Sequence, residues 1–184
     1  MAKFSLNEVD MTSKSIELNS NIAYFDQIGK PILDEYSKDL DEKVTAIRTY
    51  LNNVRLYDLD FDLPSLQKAL LDLTSTIFFT NEKLERLGVL EDVSKLQYQT
   101  TYNQAYLDKQ GSYEAGTKYS VQQLKSYADQ EALSDSILNS IYSHCAKILK
   151  AKIDSANEVS KALSKILSSR MLEMQMMQYN NSRM

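Results

Sequence analysis

Six tyrosines, Tyr98, Tyr102, Tyr106, Tyr113, Tyr119 and Tyr127, sit close together in this chain, with Lys95, Lys109, Lys118 and Lys125 interleaved. Aromatic faces stack on unpaired bases while ammonium groups hold the phosphates, which is the chemistry of sequence-tolerant single-strand binding. The same spacing has a plainer use. Tyr98, Tyr102 and Tyr106 are four apart, so on a helix they share a face and can pack against a neighbouring helix. A second cationic group lies downstream: Lys147, Lys150, Lys152, Lys161, Lys165 and Arg170 are set against only Asp154 and Glu158. Clustered cations gain affinity for nucleic acid by releasing phosphate counterions. They serve equally as a solvated face that balances acidic helices of the same or a neighbouring subunit.

Catalytic chemistry has little to draw on. His144 is the only histidine, and the single cysteine, Cys145, is its neighbour. Adjacent residues on a helix point about 100° apart, so the two cannot form a nucleophile–base pair. Cys145 reads as a small core residue. The sequence has no glycine-rich phosphate loop, no HExxH and no Cys/His cluster at metal spacing. The run Asp58, Asp60, Asp62 lacks the central Gly and later Glu of a calcium loop and reads as a solvated turn. The expectation is a protein that is not an enzyme, with no cofactor and no metal site.

The elements that must position these residues are helices. Four Gly and two Pro in 184 residues allow few tight turns, and helix formers dominate. The fold class expected is all-α: an elongated helical hairpin or bundle with a long C-terminal helix, oligomeric. Residues 1–29 read as an N-terminal arm, and residues 30–184 as a single helical domain. Pro31 opens a helix whose apolar series is Leu33, Tyr36, Leu40, Val44, Ile47, Leu51 and Val54. Pro64 opens a second, with Leu66, Leu70, Leu73, Ile77, Leu84 and Leu87, closing near Gly88. These form the hairpin of residues 31–87, with Leu40, Ile47, Leu70 and Ile77 expected in the core. A separate helix follows over 92–109, bearing Leu96, Tyr98, Tyr102 and Tyr106. Residues 110–119 read as a hinge around GSYEAGT, and C-terminal helices fill 120–180, the first opened by a Ser120–Gln123 capping box.

The last of these helices runs from about residue 134 to 179 without Pro or Gly. Its apolar series is Leu138, Ile141, Cys145, Ile148, Ala156, Val159, Leu163 and Ile166, with Met171, Met174 and Met177 on one face of its end. At 1.5 Å per residue such a helix is roughly 65 Å long, more than a lone small domain covers. Self-association is therefore expected, with Leu138, Ile141, Ile148, Val159, Leu163, Ile166, Met171, Met174 and Met177 as the oligomer interface. Methionine makes a forgiving contact surface.

Net charge is −4 and unevenly placed: residues 1–92 carry 10 Lys/Arg against 17 Asp/Glu, and residues 93–184 carry 11 against 8. One cysteine precludes an internal disulfide, the N-terminus has no secretory signal pattern, and no run reaches the length of a membrane span. The expected location is the cytoplasm, with no membrane partner.

Two segments resemble a known family. DVSKLQYQTTYNQAYLDK, residues 92–109, is similar to the N-terminal helix of UvsY-type recombination mediators of T-even-like phages. Residues 127–173, YADQEALSDSILNSIYSHCAKILKAKIDSANEVSKALSKILSSRMLE, resemble their C-terminal half. The resemblance covers about half of the chain. Residues 1–90 have no counterpart, and the family's basic DNA-binding stretch falls in a connection that is shorter here, leaving Lys109, Lys118 and Lys125 nearby. The resemblance implies a non-enzymatic homo-oligomer, in the host cytoplasm if phage-encoded. Its implied partners are single-stranded DNA, a recombinase and a single-strand binding protein. The nucleic-acid contacts expected from the two cationic groups themselves are Lys95, Lys109, Tyr113, Lys118, Tyr119, Lys125, Lys147, Lys150, Lys161, Lys165 and Arg170. The alternative is a helical structural or interaction protein, such as a virion component, a scaffold or an inhibitor of a host system.

Overall fold

In a computed structural model of the chain, described over residues 22–57, 62–112 and 118–181, four α-helices account for nearly all described residues and no strand occurs among them. They are α1 (Lys30–Tyr57), α2 (Leu63–Gly111), α3 (Val121–Glu131) and α4 (Leu133–Asn181). A π-helical turn, Phe25–Gly29, leads into α1 without a break, so the chain is already helical at Ile22, inside the segment expected as an arm. α3 opens on the capping box expected from sequence: the Ser120 hydroxyl accepts from the Gln123 N–H, and the Gln123 side chain accepts from the Ser120 N–H.

α2 departs from the expected pair of helices. It is one helix of 49 residues that runs through Gly88. A glycine ends a helix when the chain needs a left-handed residue there; inside a helix it only costs about 1 kcal/mol relative to alanine. The inward-facing series on both sides of Gly88 continues in one register, from Leu84 and Leu87 to Ser94, Tyr98 and Ala105, and the helix continues with it.

The chain divides into two compact units, Leu33–Glu85 with Lys147–Met184, and Met1–Ile32 with Arg86–Ala146. In the first, α1 and the early part of α2 form the expected antiparallel hairpin. Lys43 meets Asp72 at 3.5 Å, and Lys83 meets Asp39 at 3.6 Å and donates to the Tyr36 carbonyl at 3.4 Å. α4 lies parallel to α1: Lys152 donates to Ser37 and Asp41, and Arg48 donates to Ser155 at 3.1 Å. The core comprises Leu40, Ile47 and Val54 from α1, Leu66, Leu73 and Ile77 from α2, and Leu149, Ile153, Ala156, Leu163 and Leu167 from α4. Fully burying one such side chain is worth about 1.5–3 kcal/mol.

Two details of this core differ from the sequence series. Leu70 is half-buried, and Leu66 and Leu73 take the deep positions. On α4 the buried face passes through Leu149, Ile153 and Leu167, one position beyond the expected Ile148 and Ile166. Ile148–Leu149 and Ile166–Leu167 are adjacent apolar pairs, and the packing of α1 and α2 selects the second of each.

The other unit gathers the π-turn, the later part of α2, α3 and the start of α4. Its core includes Leu87, Ser94, Ala105, Leu124, Ala128, Ala132, Ile141 and Cys145. Polar side chains fix the α2–α4 register. Asp135 accepts from Thr101 at 2.6 Å and from Gln97 at 3.2 Å, and Ser94 donates to Asn139 at 3.2 Å. Gly29 lets the π-turn come close to α4: a Cβ there would sit 2.8 Å from the Phe25 ring and 3.1 Å from Ile141.

Candidate nucleic-acid interface

The cations of α4 are sorted by the helix itself. At 100° per residue, Lys147, Lys150, Asp154, Glu158, Lys161 and Lys165 fall on one face, and all six are exposed. Glu158 pairs with Lys161 at 2.7 Å, and each shifts the other toward its charged form: the hydrogen bond lowers the pKa of Glu158 and raises that of Lys161. Lys147, Lys150 and Lys165 form no ion pair among the described residues, and the Lys165 charge adds to the lowering of the Glu158 pKa. Lys152 leaves the face: its ammonium is half-buried against Asp41 and Ser37 and serves the α1–α4 contact. Arg170 sits a turn beyond the face and pairs with Glu173 at 2.7 Å. This strip carries net positive charge in a chain of net charge −4.

The tyrosine–lysine group belongs to the other unit. The Lys109 ammonium lies 4.8 Å from the ring centres of both Tyr119 and Tyr127, a cation held between two aromatic faces that ties the end of α2 to α3. Tyr98 and Tyr102 are half-buried with ring centres 6.1 Å apart, and Tyr106 is half-buried beside them. Burial, then the nearby Asp129 carboxylate, raises the Tyr102 pKa. These three tyrosines are packing residues first. Tyr119 keeps 39% of its surface. Lys95, Lys118 and Lys125 are exposed, and Tyr113 lies outside the described residues.

The expected interface residues of α4 divide in two. Ile141 and Leu163 are buried within their own units, and Leu138, Val159 and Ile166 are half-buried, so the stripe that called for a second chain is largely covered by this one. Ile148, Met171, Met174 and Met177 remain exposed.

A different apolar surface escaped the sequence reading. In the unit that holds the later part of α2, Val89, Val93, Leu96 and Leu107, each 56–64% exposed, lie within about 60° of one another around the helix, opposite its buried face, and in the other unit Leu71 and Phe78 are exposed at 71% and 61%. A search for a second helical stripe would have found them. Leu96, expected to pack, is on that outer side.

His144 is exposed and Cys145 is fully buried, pointing apart as their adjacency requires. The Cys145 thiol donates to the Gly29 carbonyl, and burial raises its pKa. Asp58 and Asp60 lie outside the described residues. Asp62 accepts from the Ser65 hydroxyl, and its N–H donates to the Tyr50 hydroxyl at 3.2 Å, roles that suit a turn entering a helix. No group of three metal-ligating side chains and no membrane-spanning helix occurs among the described residues. No family model, no curated protein and no solved structure matches the chain.

Proposed function

We propose that this chain is a non-enzymatic, self-associating helical protein that binds single-stranded DNA along α4, in the manner of a recombination mediator that loads a recombinase. The observation that carries the reading is the α4 face, where Lys147, Lys150 and Lys165 are exposed and form no ion pair with a carboxylate among the described residues. A strand running along the helix meets these cations at one-turn and longer steps, and counterion release supplies the affinity without base contacts. The resemblance of residues 92–109 and 127–173 to UvsY-type mediators supplies the proposed role and the proposed partners. Binding of a labelled oligonucleotide at about 50 and 200 mM salt tests it. Affinity falling steeply with salt is the expected result, and no shift at the lower salt overturns it.

A second reading, a structural or interaction protein, is favoured by the exposed stripe of α2. Val89, Val93, Leu96 and Leu107, exposed together on one helix face of a single unit, form the kind of apolar surface that marks a protein contact. The same reading includes self-association through the end of α4.

A further inference from the structure

The outer face of α2 keeps a periodicity of its own within one unit. Val89, Val93, Leu96, Thr100, Asn103 and Leu107 follow one another at alternating steps of four and three, and all six are exposed. At 100° per residue they fall within about 80° around the axis. The covered side of the same segment, with Ser94, Tyr98, Thr101 and Ala105, lies opposite, so the packing of the unit does not require this order. Alternating fours and threes are the seam of a two-stranded coiled coil, in which successive side chains meet those of a facing helix. The seam runs from residue 89 to residue 107, roughly 27 Å at 1.5 Å per residue, and the exposed Arg86 and Gln110 close its two ends.

Charge decides what can cover this face. Leu96 to Leu107 contains no Asp, Glu, Lys or Arg, in a chain of which 25% of the residues are charged. Gln97, Gln99 and Gln104 lie beside the seam, and Asp92 at its start is the one carboxylate there. Such a face offers nothing to a polyanion or to a strongly charged helix, and it meets its own copy without like-charge repulsion along its middle and end. The two polar seam positions narrow the choice. The Thr100 hydroxyl donates to the Leu96 carbonyl at 2.9 Å, whereas the Asn103 amide makes no hydrogen bond among the described residues. An amide carries both donors and an acceptor, so an identical amide satisfies it. In a parallel, in-register pair Asn103 faces Asn103, Thr100 faces Thr100, and each apolar residue meets its equivalent. Asp92 then lies opposite the uncharged Gln97 of the other copy. An antiparallel pair with Val89 against Leu107 sets Asn103 against Val93 and leaves a covered amide unpaired.

We propose that the α2 face from Val89 to Leu107 pairs in parallel with the same face of a second copy of this chain, and that Asn103 sets the register. A single polar residue in an apolar seam fixes register and partner number in this way. This rests on the self-association proposed above and gives it a surface separate from the end of α4 and from the DNA-binding face.

Val89→Cys tests both the contact and its direction. In the parallel pair the two new thiols lie opposite each other; in the antiparallel pair they are about 27 Å apart, beyond the reach of a disulfide. Under mild oxidation Val89→Cys is expected to give a covalent dimer at twice the 21.1 kDa chain mass. Lys95→Cys, on the side of α2 turned from the seam, is expected to stay a single chain, and fully buried Cys145 stays out of the exchange. Light scattering of the unmodified chain at tens of micromolar is expected to give twice the chain mass. Leu96→Glu, at an exposed site where the helical melting curve stays unchanged, is expected to return it to one chain. A multimer that Val89→Cys does not capture, or that Leu96→Glu leaves intact, overturns the α2 pairing and leaves self-association standing. Capture that requires mixing Val89→Cys with Leu107→Cys overturns the parallel register. A monomer mass for the unmodified chain overturns both the pairing and the self-association.

Discussion

The Cys145 thiol donates a hydrogen bond to the carbonyl oxygen of Gly29, 3.4 Å away, at the point where a π-turn opens into α1. A π-turn disturbs the regular ladder of carbonyl acceptors, and this one is supplied with a partner from α4. Gly29 is what allows the approach.

Gly29→Ala is therefore expected to cost about 1–3 kcal/mol in denaturant unfolding, because the added methyl must displace the Phe25 ring and Ile141. Cys145, fully buried and with its pKa raised, is expected to react with a thiol reagent only as fast as the fold opens. The sign of its linkage follows. The folded thiol keeps its proton where the unfolded one loses it, so this contribution is complete below about pH 8.5 and declines above it. Rapid labelling of the native protein at neutral pH would contradict this arrangement.

Gly88 shows the opposite case. A Cβ there meets nothing within 4 Å, and the helix passes through without a left-handed residue. Gly88→Ala is expected to raise stability by about 0.5–1 kcal/mol. A loss of stability would indicate that α2 breaks at this point.

Leu73 and Leu70 separate a core position from a shoulder. Leu73→Ala is expected to cost about 2–5 kcal/mol, as for a fully buried leucine. Leu70→Ala, at a half-buried site, should cost clearly less. Equal losses would mean that the face of α2 turned toward α1 and α4 is rotated from the one described.

These contrasts show where sequence pattern suffices. α1 has one apolar face and polar residues elsewhere, so Leu33, Leu40, Ile47 and Val54 were readable as core. α4 carries neighbouring apolar pairs, and periodicity cannot choose between Ile148 and Leu149; only the packing partners do. α2 is apolar on two sides, which obscured both its continuity through Gly88 and its outer stripe. The lysine face was legible because Lys147, Lys150, Lys161 and Lys165 follow helical spacing. The withdrawal of Lys152 to Asp41, and the capture of Lys109 between Tyr119 and Tyr127, depend on residues distant in sequence and left no local signal.

The aromatic clasp yields its own test. Lys109→Ala removes the cation between the two rings and is expected to destabilise the α2–α3 contact by about 0.5–1 kcal/mol per exposed ring contact. Hydrogen exchange of α3 amides, faster in the variant than in the parent, reads this directly. Unchanged exchange would show that Leu124 and Ala128 hold α3 unaided.

The α4 face makes the last prediction, which separates structural from DNA-binding lysines on one helix. If single-stranded DNA runs along the exposed face, each phosphate contact contributes about 0.7 to the slope of log affinity against log salt. Lys150→Ala and Lys165→Ala, which break no ion pair among the described residues, should each lower the slope by about that amount and leave the unfolding midpoint almost unchanged. Lys152→Ala should do the reverse, because its ammonium is committed to Asp41 and Ser37. Its removal is expected to lower stability and leave the salt slope alone. Lys161→Ala should fall between, since Glu158 then loses its partner and adds a repulsive charge to the strip. Equal effects of Lys150 and Lys152 on the salt slope would refute the assignment of this face to the strand.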